Sequence, residues 1–126
     1  MKTDNMIDEV APYPCEPFTP DWNATRREFH EDHPRVEAAF RKHIYRASPE
    51  QAHDLNELIV CHGNVIRYFV ARSLQLPFES WARFSIANAG FVWIVIRPNG
   101  VVILKAFNDL GHLPKAKITG QVYKKN

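Results

Sequence analysis

The chain has 126 residues, 45% hydrophobic, 12% aromatic and 24% charged, which is the make-up of one globular domain and excludes a largely disordered or low-complexity chain. Its 16 basic and 14 acidic residues leave a net charge of +2, which gives no reason to expect nucleic acid or a membrane surface as a partner. Two cysteines make no disulfide framework, and no apolar run approaches the roughly 20 residues that span a bilayer.

The first ten residues carry Asp4, Asp8 and Glu9. They have neither the basic start and apolar stretch of a secretory signal nor the Arg-rich composition of a mitochondrial presequence, so a chain made as written is expected in the cytoplasm. Pro12, Pro14, Pro17 and Pro20 then recur at short intervals, each fixing its own φ and pushing the preceding residue away from helix. Residues 1–20 therefore read as an extended Pro-rich segment, and residues 11–20 as a loop that something else must hold down. The folded portion is expected over residues 21–126.

Asp21 or Thr25 is placed to cap a first helical turn, with the main helix resuming at Pro34, where a missing N–H does no harm. From there Val36, Ala39, Phe40, His43 and Ile44 recur at helical spacing while Arg35, Glu37, Arg41 and Lys42 point away, which predicts an amphipathic helix to about Arg46. Residues 58–61, Leu-Ile-Val-Cys, form a short continuous apolar run and read as a buried, parallel-paired strand. His62-Gly63-Asn64 is the turn, and residues 65–76 are the next helix, stopped by Pro77. Residues 91–96 read as a strand, Asn99-Gly100 as a two-residue hairpin turn, and residues 101–107 as the returning strand. The class is α/β, with three strands, few for such a sheet.

The informative site is Cys61-His62-Gly63-Asn64. A strand ends, a histidine follows, and a glycine opens a helix whose first N–H groups and positive dipole end suit a phosphate or another anion. On spacing alone His62 reads first as a loop histidine that merely caps a helix, because a single histidine is weak evidence for an active site. Cys61 precedes His62 on a strand, so the two side chains point to opposite faces and the thiol reads as buried and inert. Cys61, His62, His43 and His53 lack structural-zinc spacing, and no metal is expected. His30 and His33 read as solvated, Arg67 as a surface salt-bridge partner, and Trp81 and Trp93 as packing residues. Residues 88–90, Asn-Ala-Gly, are placed to return the backbone to the His62 end of the sheet.

The run Leu58-Ile-Val-Cys-His-Gly-Asn-Val-Ile-Arg-Tyr68 resembles the second catalytic-histidine motif of the histidine phosphatase (phosphoglycerate mutase) superfamily. Arg35-Val-Glu-Ala-Ala-Phe-Arg41, Trp81-Ala-Arg-Phe-Ser85, Val95-Ile-Arg-Pro-Asn-Gly100 and Lys117-Ile-Thr119 extend the likeness over residues 9–119. Together they are similar to the C-terminal half of the mitochondrial serine/threonine-protein phosphatases of that family. The resemblance implies a three-layer α/β/α sandwich, of which this chain supplies an incomplete, C-terminal half. It also implies a mitochondrial location, a phosphoprotein substrate and no cofactor. His62 matches the second histidine, which holds the transferring phosphoryl with Gly63 and Asn64. Asp8-Glu9-Val10-Ala11-Pro12 is similar to the family's Arg-Glu-Gly-Ala-Pro, which makes Glu9 the candidate acid for the leaving oxygen, although Asp8 stands where the family has arginine.

The family's nucleophile lies in an Arg-His-Gly motif, and the 126 residues contain none: apart from His62, no histidine is followed by glycine. A fragment, a truncated isoform or a degenerate paralogue is therefore expected. Two function classes follow: a phosphoprotein phosphatase that is inactive alone, or a non-catalytic phosphate- or protein-binding module. By resemblance the 58–61 strand is central and lacks a neighbour here. An exposed sheet edge, homo-oligomerisation through it, and a mobile 11–20 loop are the expected consequences.

Overall fold

The computed structural model describes residues 1–18 and 24–120. Helix α1 runs Arg26–His43 and starts at a capping box, with Thr25 Oγ1 accepting the Glu28 amide at 3.2 Å and the Glu28 carboxylate accepting the Thr25 amide at 2.6 Å. Arg41, Lys42 and His43 fill the last turn, where the dipole favours cations. The helix does not restart at Pro34 but passes through it. Proline removes the bond to the His30 carbonyl, and His30 and Pro34 are both exposed residues. Asp21, the other candidate cap, lies outside the described residues.

Helix α2 spans Gly63–Ser73 and buries Val65, Tyr68, Phe69, Val70 and Ala71. It ends before Pro77 can stop it. Gln75 adopts φ +58°, its amide bonds the Arg72 carbonyl at 3.1 Å, and the Leu76 amide bonds the Ala71 carbonyl at 2.9 Å. That left-handed close is a Schellman turn with glutamine in the usual glycine place.

The core joins Val36 and Ala39 of α1 to Val65, Tyr68 and Phe69 of α2, with Val10 from the N-terminal segment among them. Glu37 links the helices by polar bonds. Its carboxylate accepts from Tyr68 Oη at 2.8 Å and from Arg72 Nε and Nη2 at 3.0 and 2.9 Å, while the Arg72 guanidinium lies over the Phe40 ring. Glu37 therefore does not face away from the core, as periodicity alone suggests.

Residues 11–13 and the Glu16 amide are hydrogen-bonded to the folded part, against the expectation of a mobile loop; residues 19 and 20 lie outside the described residues. The Ala11 amide bonds Asp32 at 2.7 Å, the Pro12 carbonyl meets His33 Nδ1 at 2.8 Å, and the buried Trp81 donates from Nε1 to the Tyr13 carbonyl at 2.8 Å. His33 is thus not solvated: its ring stands edge-on to Tyr13 and packs near Tyr68 and Phe78. Alternating prolines expose carbonyls without amides to pair them in a sheet, and the helices supply the donors.

Strand β1 (Phe91–Ile96) pairs antiparallel with β2 (Val102–Asp109) in a two-stranded sheet. The turn is three residues, not two. The Arg97 amide bonds the Val101 carbonyl at 2.9 Å, the Gly100 amide bonds the Arg97 carbonyl at 2.8 Å, and Gly100 alone takes positive φ, at +86°. Pro98 has no N–H to continue the ladder, so the hairpin closes one residue earlier on a type I turn with a left-handed glycine.

The expected third strand is not formed. Residues 58–61 carry no strand pairing among the described residues, and Leu58 and Val60 are 76% and 69% exposed. Apolar composition makes a segment competent to be a strand, but a ladder needs a partner backbone, and no described strand pairs with this segment.

Candidate functional site

His62 is the N-cap of α2, with extended backbone (φ −106°, ψ 160°) and a carbonyl that accepts the Ile66 amide at 3.0 Å. Its side chain makes no capping bond and the residue is exposed. The amides of Gly63, Asn64 and Val65 form the first turn, where helix geometry provides no intrahelical acceptor. Gly63 is an ordinary helical position: an added Cβ would meet Ile86 Cγ2 at 3.6 Å, a normal contact. The backbone therefore does not demand glycine at the turn. The same contact places Ile86, next to the 88–90 turn, at the His62 end of the molecule.

Glu9, more than fifty residues away in sequence, is brought to this turn. The Val10 carbonyl accepts from Asn64 Nδ2 at 3.2 Å, and the Val10 side chain is buried in the core. Glu9 itself is exposed; its carboxylate accepts the Val10 amide at 3.1 Å. Its charge reaches Cys61. Burial pushes the Cys61 thiol up to about 11 against the opposing pull of the His62 amide, and the Glu9 anion adds a smaller push in the same direction as burial. That thiol is a poor nucleophile, in keeping with the inert reading.

Asn64 serves the site through its side chain as well as its amide. Its Oδ1 accepts from Arg67 Nη1 at 3.3 Å while Nδ2 holds Val10. Arg67 is half-buried in this contact, where a surface position was expected of it. The geometry collects an exposed imidazole, a carboxylate and a set of first-turn amides at one end of α2. Those are the parts that hold an anion and exchange a proton with it. Sequence reasoning missed Asp32 and Arg35, which grip the Glu9 segment from α1. The available signal was their i,i+3 spacing, which pairs them at 2.9 Å. Among the described residues no cluster of His, Cys, Asp and Glu is arranged to hold a metal ion, and no helix is long and apolar enough to cross a membrane.

Residues 3–109 match the histidine phosphatase superfamily (branch 1). Among individual proteins, the chain is 48% identical over 115 residues to the mitochondrial serine/threonine-protein phosphatase Pgam5 of Caenorhabditis briggsae, covering 91% of this chain and 41% of that protein. It is 44% identical over 115 residues to the rat protein of the same name, covering 91% and 40%. The chain thus spans about two fifths of the length of these relatives. A phosphoglycerate mutase crystal structure from Plasmodium falciparum aligns with TM-score 0.48 and 37% identity, over 64% of this chain and 50% of that one.

Proposed function

The chain belongs to the histidine phosphatase superfamily, branch 1, its helices and two-stranded sheet forming part of a phosphoglycerate-mutase-like α/β domain, and on that premise we propose that it carries the phosphate-holding and proton-donating part of a phosphoprotein phosphatase site. The observation that carries this reading is the Asn64–Val10 hydrogen bond of 3.2 Å, which joins the chain neighbours of His62 and Glu9 at the start of α2. In phosphoryl transfer the protein's task is to place positive donors on the equatorial oxygens and to protonate the departing oxygen. The His62 imidazole and the Gly63, Asn64 and Val65 amides supply the donors, and Glu9 supplies the proton. The relatives' names favour phosphoserine and phosphothreonine in proteins as substrate and the mitochondrion as the place of action.

No Arg-His-Gly occurs in these 126 residues, so the phosphohistidine intermediate that divides hydrolysis into two steps has no nucleophile here. The 126-residue chain is accordingly expected to bind a phosphate monoester without turning it over. Calorimetry with O-phosphoserine, beside a turnover assay on phosphoserine and phosphothreonine peptides, tests both statements. Binding that His62→Ala removes, with no turnover above background, is the expected result. Absence of binding contradicts the phosphate site, and turnover lost in His62→Ala contradicts the inactivity. The non-catalytic reading keeps one observation of its own: the exposed Leu58 and Val60 leave an apolar strip beside the site that suits protein association, including self-association.

A further inference from the structure

We propose that Arg35 and Asp32 of α1 are positioning residues that fix Glu9 against the His62 turn. This inference rests on the reading of Glu9 as the site's acid. The residues around Val10 are held on every side. Arg35 Nη2 donates to the Glu9 carbonyl at 3.0 Å, on one flank of Val10. Asp32 Oδ2 accepts the Ala11 amide at 2.7 Å, on the other flank. Arg35 Nη2 and Asp32 Oδ1 close the circuit at 2.9 Å. The Val10 side chain enters the core at 3% exposure, and its carbonyl goes to Asn64.

The second arm of the guanidinium, Nη1, donates to the Asp8 carbonyl at 3.0 Å and reaches the Asn5 and Met6 carbonyls at 3.4 Å. Its shorter bonds are therefore to the residues at Glu9, and the longer ones to the preceding turn. A planar fork with donors on both arms holds several carbonyls at once, which a lysine ammonium does by point charge alone. The result is that the backbone of Glu9 has one place to stand relative to α2, while its carboxylate remains exposed and able to meet a ligand. Loop carboxylates ordinarily sample many positions. A proton donor must stand within hydrogen-bond reach of the oxygen it serves, so a clamp of this kind has direct chemical value.

The test uses the 126-residue chain, labelled with 15N, and the Glu9→Gln substitution as a reporter. Removing the Glu9 charge is expected to move the amide resonances of residues 61–64. In the Arg35→Met background the same substitution is expected to move them less than half as far, because Glu9 no longer has a fixed place. Arg35→Lys should restore part of the response, and Asp32→Asn, which retains the Arg35 charge, should give an intermediate loss. An undiminished Glu9→Gln response in a folded Arg35→Met chain overturns the positioning role and leaves the reading of Glu9 standing. If Arg35→Met does not fold, Asp32→Asn decides on the same criterion, an undiminished response again overturning the role. No response to Glu9→Gln in the otherwise unaltered chain removes Glu9 from the site, and the positioning role with it.

Discussion

Replacing Glu37 by glutamine removes the anion that joins α1 to α2. The Arg72 guanidinium first, then the Tyr68 hydroxyl and Arg41, hold the Glu37 carboxyl down from 4.5 to about 2. Taken at face value, that difference corresponds to a ceiling of about 3 kcal/mol. The side chains of Glu37 and Arg72 are 19% and 29% exposed, so water screens part of the attraction. Arg41 is 75% exposed and adds little. Glutamine also retains one acceptor oxygen. A loss of about 1–2 kcal/mol at pH 7 remains, worth about 3–8 °C in melting temperature for a domain of this size.

The pH dependence follows from the sign. A depressed carboxyl stabilises the fold fully above 4.5 and loses that contribution as pH falls toward 2. Asp4, Glu28 and Glu50 are also held low and weaken both proteins alike, so the difference between wild type and Glu37→Gln isolates this one group. Thermal melts followed by circular dichroism at pH 7, 4.5 and 3 measure it. The gap should be open at pH 7 and narrow below 4.5. A variant that melts within a degree of wild type at pH 7, or a gap that does not narrow in acid, refutes the reasoning.

Gly63→Ala should fold normally and gain about 0.5 kcal/mol, because the position is helical and the added methyl meets Ile86 at an ordinary 3.6 Å; a melting temperature several degrees lower would contradict this. Gly90→Ala should cost about 2 kcal/mol in chemical denaturation, since its Cβ would fall 2.5 Å from Asn108 Oδ1, the acceptor of the Ala87 amide, and a loss under half a kcal/mol would count against that packing. Cys61 should alkylate at pH 8 roughly 100-fold more slowly in the native chain than in denaturant, as its thiolate is scarce when the thiol sits near 11. Mass spectrometry of the labelled peptide reads that ratio, and Glu9→Gln should speed the native rate.

The hairpin and the start of α2 were legible because local signals agreed there. The His62-Gly63-Asn64 turn and the helical period after it pointed the same way, and β1 occupies the residues its pattern predicts. The 58–61 strand was not legible as such, because strand formation depends on a partner that the run itself does not encode. Pro34 misled for a related reason: its penalty is local, and the capping box before it and the burial of Val36 and Ala39 after it outweigh that penalty. Arg35 read as solvent-facing from helical period, and His33 from the acidic, polar segment it sits in. Their partners, the carbonyls of residues 8, 9 and 12, lie in a Pro-rich segment whose path over α1 no periodicity reveals. The Glu9 end of the site was reached through family likeness, whereas its contact with Asn64 emerged only from the fold.

The central claim is that the start of α2 holds a phosphate with Glu9 and His62 facing it. An amide-resolved NMR titration of the 126-residue chain with inorganic phosphate addresses it most directly. Saturable shifts at Gly63, Asn64 and Val65, lost in His62→Ala and altered in Glu9→Gln, are the predicted result. Shifts scattered over lysine- and arginine-rich surfaces, or unchanged by either substitution, would contradict it.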